Sequence, residues 1–129
     1  MTHVVLDASA ILALLKGEWG AAKVASIIAD ASVSAINQAE IVGHFVRLGA
    51  PLDEIRTMLG ALPYEVVPVD EALAWEAGGL RAATAMAGLS LGDRVCLVLA
   101  RRLGVAAYTA DPTWREIAAD VGAKVVLIR

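Results

Sequence analysis

The alternation of short apolar segments with longer segments of helical pattern limits this chain to few folds. Five short segments with β-branched or aromatic residues are predicted strands: 4–6, 32–34, 64–67, 105–109 and 124–128. Strands that alternate with helices form a parallel sheet covered by helices on both faces. We therefore predict the α/β class: a three-layer α/β/α sandwich with a parallel sheet of about five strands.

The segments between the predicted strands repeat apolar residues every three or four positions, as amphipathic helices do. Gly49 and Gly104 end two of these helices, and Pro51 suits the first turn of another. Asp70 begins a long helix that the Gly78-Gly79 pair weakens. The predicted helices are 10–15 with Ser9 as the cap, 21–29, 35–48, 51–59, 70–86, 91–103 and 112–121.

The chain is unusually apolar for its length. Apolar residues make up 58% of its 129 residues, and its mean hydropathy is +0.65. No apolar run approaches the ~20 residues that a helix needs to cross a bilayer, and Asp7 interrupts the segment where a signal peptide would be apolar. We therefore expect one domain, residues 1–129, with no membrane segment and with apolar surface hidden in a protein interface.

The cysteine content and the net charge limit the cellular compartment and the classes of binding partner. Cys96 is the only cysteine, so no internal disulfide can form, which favours the reducing cytoplasm. Its apolar neighbours indicate a buried small side chain. The net charge of −3 argues against broad, non-specific contact with nucleic acid. A nucleic-acid partner would need a local arginine patch and metal ions.

Four acidic residues stand in apolar or neutral surroundings near the ends of predicted elements. Asp7 follows the first strand, and Glu40 lies in the second turn of the helix after the second strand. Asp93 lies in the first turn of the helix that precedes the fourth strand, and Asp111 lies two residues beyond that strand. In open parallel sheets, sites form at the carboxyl ends of the strands. We therefore expect these four carboxylates to line one pocket.

Carboxylates that converge repel one another unless a cation neutralises them. Mg²⁺ and Mn²⁺ take oxygen ligands, so a convergent acidic cluster predicts a site for a hard divalent ion. Any one of the four acids, taken alone, is more often a helix cap or a solvated charge. The occurrence of all four in this setting favours the metal site.

Four motifs carry a resemblance to a known family: VLDAS (5–9), SAINQAE (34–40), LSLGDR (89–94) and YTADPTW (108–114). In order and spacing they resemble the successive motifs of PIN-domain ribonucleases, and most closely those of the VapC toxin branch of type II toxin–antitoxin modules. The resemblance covers essentially the whole chain. It implies a PIN-like fold and a Mg²⁺-dependent endoribonuclease, with Mn²⁺ as a substitute, that forms a homodimer and is inhibited by a VapB-like antitoxin.

The resemblance also implies site residues. The catalytic, metal-binding acids would be Asp7, Glu40, Asp93 and Asp111, and Ser9 and Thr109 match the hydroxyl positions beside them. Pro112 departs from the family, which often has a basic or polar residue there. Independently, phosphodiester hydrolysis needs a water nucleophile and charge stabilisation, which carboxylate-bound Mg²⁺ supplies without a nucleophilic side chain. The sequence contains no GxGxxG or GxxxxGK[ST] motif that would indicate nucleotide-binding chemistry instead.

Four further polar residues have more than one possible role each. Asn37 could orient a metal-bound water or cap a helix, and Arg94 could contact substrate phosphate, pair with the acids or be a surface charge. His44 and Arg47 share the helix of Glu40 and could reach the site or be solvated.

Two other functions stay open at this point. A receiver-type signalling module is also a small α/β/α domain, but it needs paired acids after its first strand, where Asp7 stands alone. A PIN-like domain that binds partners without cleaving RNA is the second alternative, against which the complete acidic quartet argues.

Overall fold

A parallel sheet forms the centre of the protein. The computed structural model describes residues 2–129, so Met1, the first residue of the predicted 1–129 domain, lies outside it. Within this range five strands pair in the order β3-β2-β1-β4-β5, all in parallel. The strands are β1 (Val4–Leu6), β2 (Ala31–Ser34), β3 (Glu65–Val67), β4 (Ala106–Thr109) and β5 (Lys124–Leu127). The predicted parallel sheet and strand number are therefore confirmed.

Eight α-helices connect and cover these strands within residues 2–129. They are α1 (Ala8–Lys16), α2 (Ala21–Ile27), α3 (Ala35–Arg47), α4 (Leu52–Gly60), α5 (Glu71–Gly79), α6 (Arg81–Thr84), α7 (Leu91–Leu103) and α8 (Trp114–Val121). The predicted helix 70–86 is wrong as one element, since it ends at Gly79 and resumes as the short α6. The Gly78-Gly79 pair explains the break, because glycine is a poor helix former. No helix in residues 2–129 is long and apolar enough to cross a membrane.

Two apolar clusters lie on opposite faces of the sheet and make the three layers. Val4 and Leu6 of β1 belong to the cluster that also includes Ile11 of α1 and Ile41 of α3, whereas Val5 belongs to the other. This alternation follows from the two-residue period of a strand. The second cluster is built mainly from α5, α7 and α8, and it contains the fully buried Trp114.

The topological switch point of the sheet, where the strand order reverses, lies between β1 and β4. From β1 the chain adds β2 and β3 on one side, and β4 and β5 lie on the other. The carboxyl ends of all five strands share one edge because the strands are parallel. The N-terminus of α7 reaches the same edge, since α7 leads back to the start of the parallel strand β4. A receiver-type fold has the order 2-1-3-4-5, so the sheet excludes that alternative.

Candidate metal centre

Asp7 is the most tightly held of the four acids. It is 4% exposed and begins α1, where its Oδ1 accepts hydrogen bonds from the Ala10 amide at 2.9 Å and from Ser9 Oγ at 2.7 Å. Its Oδ2 accepts from Thr109 Oγ1 at 2.6 Å. The predicted cap at Ser9 is therefore wrong, because Asp7 occupies the N-cap position and Ser9 instead donates to Asp7.

The protonation of Asp7 reflects competing effects. Burial raises the pKa of this carboxyl from 3.8 to about 6, although the hydrogen bonds from Thr109, Ser9 and Ala10 act to lower it. The negative charge of Asp93 adds to the increase. Burial costs the charged form its hydration, and here the three donors offset only part of that cost. A positive charge near Asp7 would offset the rest of the cost of keeping this carboxylate ionised.

The two hydroxyl residues join the loop after β4 to the start of α1. Ser9 Oγ accepts a hydrogen bond from the Ala110 amide at 2.9 Å, and Thr109 Oγ1 accepts from the Asp111 amide at 3.0 Å. Both hydroxyls also donate to Asp7. They therefore hold the Asp7 carboxylate and the Asp111 backbone in one network across two adjacent strands.

Glu40 is exposed to solvent in α3, at the same edge of the sheet. The protein that surrounds its carboxyl raises the pKa by desolvation, a hydrogen bond from Asn37 lowers it, and the charge of Asp93 raises it. The net pKa is raised. Asn37 Nδ2 donates to Glu40 Oε1 at 2.6 Å. Ser34, not Asn37, caps the helix, and the Asn37 side chain contacts a carboxylate; its role toward a metal-bound water stays a prediction.

The negative charge of Asp93 acts on both Asp7 and Glu40. It lies in the first turn of α7, where its Oδ2 accepts from the Ser90 amide at 2.9 Å and Ser90 Oγ accepts from the Asp93 amide. This reciprocal capping box fixes the carboxylate at the helix start. Because the charge of Asp93 adds to the raised pKa of both Asp7 and Glu40, each of these two carboxylates lies within electrostatic reach of Asp93.

Asp111 is placed differently from the other three. Its Oδ1 accepts from the amide and the hydroxyl of Thr113, at 2.9 and 2.8 Å, within its own loop. Its charge is not among the causes of the raised pKa of Asp7 or Glu40. The structure thus places Asp7 and Glu40 within electrostatic reach of Asp93 and joins Asp111 to Asp7 through Thr109.

The two arginines and His44 have different environments. Arg94 is 7% exposed and donates to the carbonyl oxygens of Ala77 and Ser90, both at 3.4 Å. It therefore links α5 to α7, and the readings of Arg94 as a surface charge or as a partner of the acids do not hold. Arg47 is exposed, whereas His44 Nε2 is buried with no hydrogen-bond partner among the described residues.

The donor set suits a hard divalent cation. All the candidate ligands are carboxylate oxygens, which Mg²⁺ and Mn²⁺ prefer. Burial raises the pKa of both Asp7 and Glu40, and the charge of Asp93 adds to each increase. Among residues 2–129, however, no three acid, imidazole or thiol groups stand close enough to share one ion as they are placed. All four acids accept hydrogen bonds from protein donors, so ion binding would require their side chains to move.

A comparison with protein-family models assigns the chain to a family. The model described as "PIN domain" matches residues 4–120, which is most of the chain. The chain belongs to the PIN domain family. The family resemblance read from the four sequence motifs is thus confirmed, and the five-stranded parallel sheet of this PIN domain agrees with it.

Solved structures share this fold at low sequence identity. A chain in the DNA-bound VapBC structure from Salmonella typhimurium is 18% identical, with a TM-score of 0.77 and all of both chains covered. A toxin-antitoxin complex from Klebsiella pneumoniae gives 16% identity and a TM-score of 0.74 over 98% of each chain. A VapBC family member from Mycobacterium tuberculosis gives 24% identity and 0.63, over 100% of this chain and 99% of that one. Among curated proteins, none matches the sequence significantly.

Proposed function

We propose that this single PIN domain, residues 1–129, is a metal-dependent endoribonuclease and the toxin of a type II toxin–antitoxin pair. The observation that carries the proposal is the placement of Asp7, Glu40 and Asp93 at one edge of a PIN-domain sheet, where burial raises the pKa of Asp7 and Glu40 and the charge of Asp93 adds to both increases. Unpaired charges of one sign are costly to keep together. Their concentration at this edge favours a site that is completed by Mg²⁺ or Mn²⁺.

In this proposal, Asp7, Glu40 and Asp93 would hold the ion, with Asp111 as the fourth ligand. The ion supplies a polarised water and stabilises negative charge on the phosphate. Thr109 and Ser9 donate to Asp7, so its carboxylate stays ionised and oriented. The capping box with Ser90 holds Asp93 at the start of α7. No side chain has to act as the nucleophile, because water attacks the phosphodiester.

The partner assignment rests on the structural neighbours. The similar structures from Salmonella typhimurium and Klebsiella pneumoniae are a VapBC assembly and a toxin-antitoxin complex. By analogy, a VapB-like antitoxin would cover the acidic edge of this protein in the cytoplasm. It should place a basic side chain against Asp7 and Glu40, because covering these carboxylates unpaired would be costly.

Cleavage of RNA by the purified protein tests the proposal. We expect RNA fragments with Mg²⁺ or Mn²⁺, none with EDTA, and none when the antitoxin from the neighbouring reading frame is present. Absence of metal-dependent cleavage across transfer, ribosomal and messenger RNA would favour the non-catalytic alternative instead.

Binding of the metal should stabilise the native protein. At a free Mn²⁺ concentration of 100 times Kd, linkage contributes about 2.7 kcal/mol, which raises Tm by roughly 8–12 °C for a domain of this size. Differential scanning fluorimetry with and without Mn²⁺ measures the shift. Glu116→Gln, an exposed acid on α8, should show the same shift as the wild type, whereas Asp7→Asn should lose most of it. Equal shifts in all three proteins would indicate binding elsewhere.

The proposed homodimer has a candidate surface, which we call the Trp75 surface. Trp75 is 77% exposed beside Ala74, Gly78 and Gly79, and Met86 is 99% exposed. Ile55 of α4, by contrast, is 2% exposed and belongs to the core.

We expect Trp75→Lys to weaken dimerisation by at least roughly 30-fold, since a central interface tryptophan commonly contributes 2 kcal/mol or more. Trp19→Lys is the matched control, because Trp19 is 79% exposed in the loop between α1 and α2, outside helix α5, which carries Trp75. Light scattering across micromolar protein concentrations measures the monomer–dimer equilibrium of both variants. A wild-type monomer throughout this range would contradict the proposed dimer.

A further inference from the structure

Asn37 is a buried polar side chain between two elements of the acidic site. It is 1% exposed in the first turn of α3, one turn before Glu40. Its Nδ2 donates to Glu40 Oε1 at 2.6 Å and to the carbonyl oxygen of Gly92 in α7 at 3.4 Å. Its Oδ1 accepts from Ser34 Oγ at 3.2 Å. One carboxamide thus connects the start of α3, the Glu40 carboxylate and the start of α7.

The surroundings allow only one orientation of this carboxamide. The ionised Glu40 carboxylate and the Gly92 carbonyl can only accept hydrogen bonds, so the NH₂ group must face them. The Ser34 hydroxyl can donate to Oδ1 while its oxygen accepts from the Asn37 amide at 3.1 Å. In many helices the side chain at this position reaches back to the cap residue. Here the Oδ1 atom still contacts the side chain of the cap residue Ser34, but the Nδ2 group reaches forward to Glu40.

Gly92 provides the space that the Glu40 carboxylate occupies. A Cβ atom at Gly92 would lie 2.8 Å from Cδ of Glu40 and closer still to Oε1. Contacts this short do not occur, so any larger residue at position 92 would push the carboxylate away. The displaced group is the flexible end of a side chain, so the change would move Glu40 without disrupting the helices.

We propose that Asn37 and Gly92 are positioning residues that hold the Glu40 carboxylate against the start of α7, next to Asp93. The inference rests on the proposed metal-dependent function, since it assigns the two residues to the orientation of one metal ligand. Neither would touch the metal or the RNA. Outer residues that orient a ligand typically contribute 10–100-fold to metal affinity.

Removal of each contact should weaken Mn²⁺ binding more than its effect on folding explains. We expect Asn37→Ala to raise the Mn²⁺ Kd, measured by isothermal titration calorimetry, by roughly 10-fold or more. Gln38→Ala is the matched control, since Gln38 is the next residue of α3 and accepts a 2.6 Å hydrogen bond from the Tyr64 hydroxyl. This control should lower Tm as well but leave the Mn²⁺ Kd unchanged.

Gly92→Ala separates positioning from stability in the opposite direction. Alanine is a better helix former than glycine, so the metal-free Tm should be unchanged or higher, while the Mn²⁺ Kd rises by roughly 10-fold. Gly43→Ala is the control, because a Cβ at Gly43 meets nothing within 4 Å in the exposed middle of α3. It should raise Tm without a change in Mn²⁺ affinity.

A double-mutant cycle identifies Glu40 as the residue through which both act. In a Glu40→Gln background, Asn37→Ala and Gly92→Ala should cause no further loss of Mn²⁺ affinity. Wild-type affinity in both single variants would overturn the positioning role while leaving the proposed nuclease intact. Equal losses with and without Glu40 would overturn it too. A wild-type protein that binds no Mn²⁺ would overturn the proposed function and this inference together.

Discussion

Asp93→Asn and Asp7→Asn should each reduce metal-dependent RNA cleavage by at least ~10³-fold while the protein stays folded. Both changes remove a charge and keep the shape of the side chain. The asparagine Oδ1 can still accept from the Ser90 amide at position 93, or from the Ala10 amide at position 7, so α7 and α1 keep their caps. The loss should therefore come from the missing ligand charge. Single-turnover cleavage of a labelled RNA, with circular dichroism of each variant, measures both properties.

Asp120→Asn is the control for this experiment, because Asp120 is exposed near the end of α8 and makes no side-chain hydrogen bond or ion pair among the described residues. It should cleave RNA at the wild-type rate. Near-normal, metal-dependent cleavage by both Asp7→Asn and Asp93→Asn would refute their roles as ligands. If a variant loses both cleavage and the circular dichroism spectrum of a folded protein, Glu40→Gln takes its place in the experiment. The side chain of Glu40 is exposed, so this change should not disturb the fold.

Asp7 should make the metal-free protein more stable as the pH falls from 7 toward 4. Its pKa is about 6 in the folded state, compared with an ordinary value of 3.8, so the folded state binds the proton more tightly. The cost of the buried charge is then complete above pH 6 and disappears as the pH falls through this window. The difference in pKa corresponds to roughly 3 kcal/mol. The raised pKa of Glu40 acts in the same direction.

Asp7→Asn isolates this effect. At pH 7.5 in EDTA the variant should be more stable than the wild type by up to roughly 3 kcal/mol, and the difference should vanish near pH 4. Urea unfolding of both proteins at several pH values gives the two free energies. The exposed Asp70, whose pKa Arg102 lowers, contributes equally to both proteins and cancels. A difference that is independent of pH would show that Asp7 does not titrate in this window.

Local sequence was sufficient for the five strands, for most of the helices and for the edge of the sheet where the acids lie. Strands as short as Val4–Leu6 are recognisable because buried parallel strands are apolar throughout. The chain order of strand and helix then places Asp7, Asp93 and Asp111 at the carboxyl edge without knowledge of the strand order. Ser9 and Thr109 were predicted beside the acids, and both donate to Asp7. These features depend on position along the chain, which the sequence contains directly.

Contacts between distant segments were decided by the tertiary structure. Arg94 follows Asp93 in sequence, but its guanidinium lies against the end of α5 because the packing of two helices buries it. Asn37 and Gly92 meet across 55 positions of sequence to hold Glu40. A glycine in the first turn of α7 is the only local sign of that contact. Asp111 bonds within its own loop, which its spacing after β4 did not indicate.

The sequence by itself determined the family, the parallel α/β architecture and the set of acids at one edge, because these follow from local periodicity and chain order. Only the tertiary structure decided which acids influence one another, which side chains orient them and which tryptophan is buried. Trp114 lies in the core while Trp19 and Trp75 reach solvent, although all three have the same chemistry. Burial and the directions of hydrogen bonds depend on neighbours that are remote in sequence, and local pattern carries no information about them.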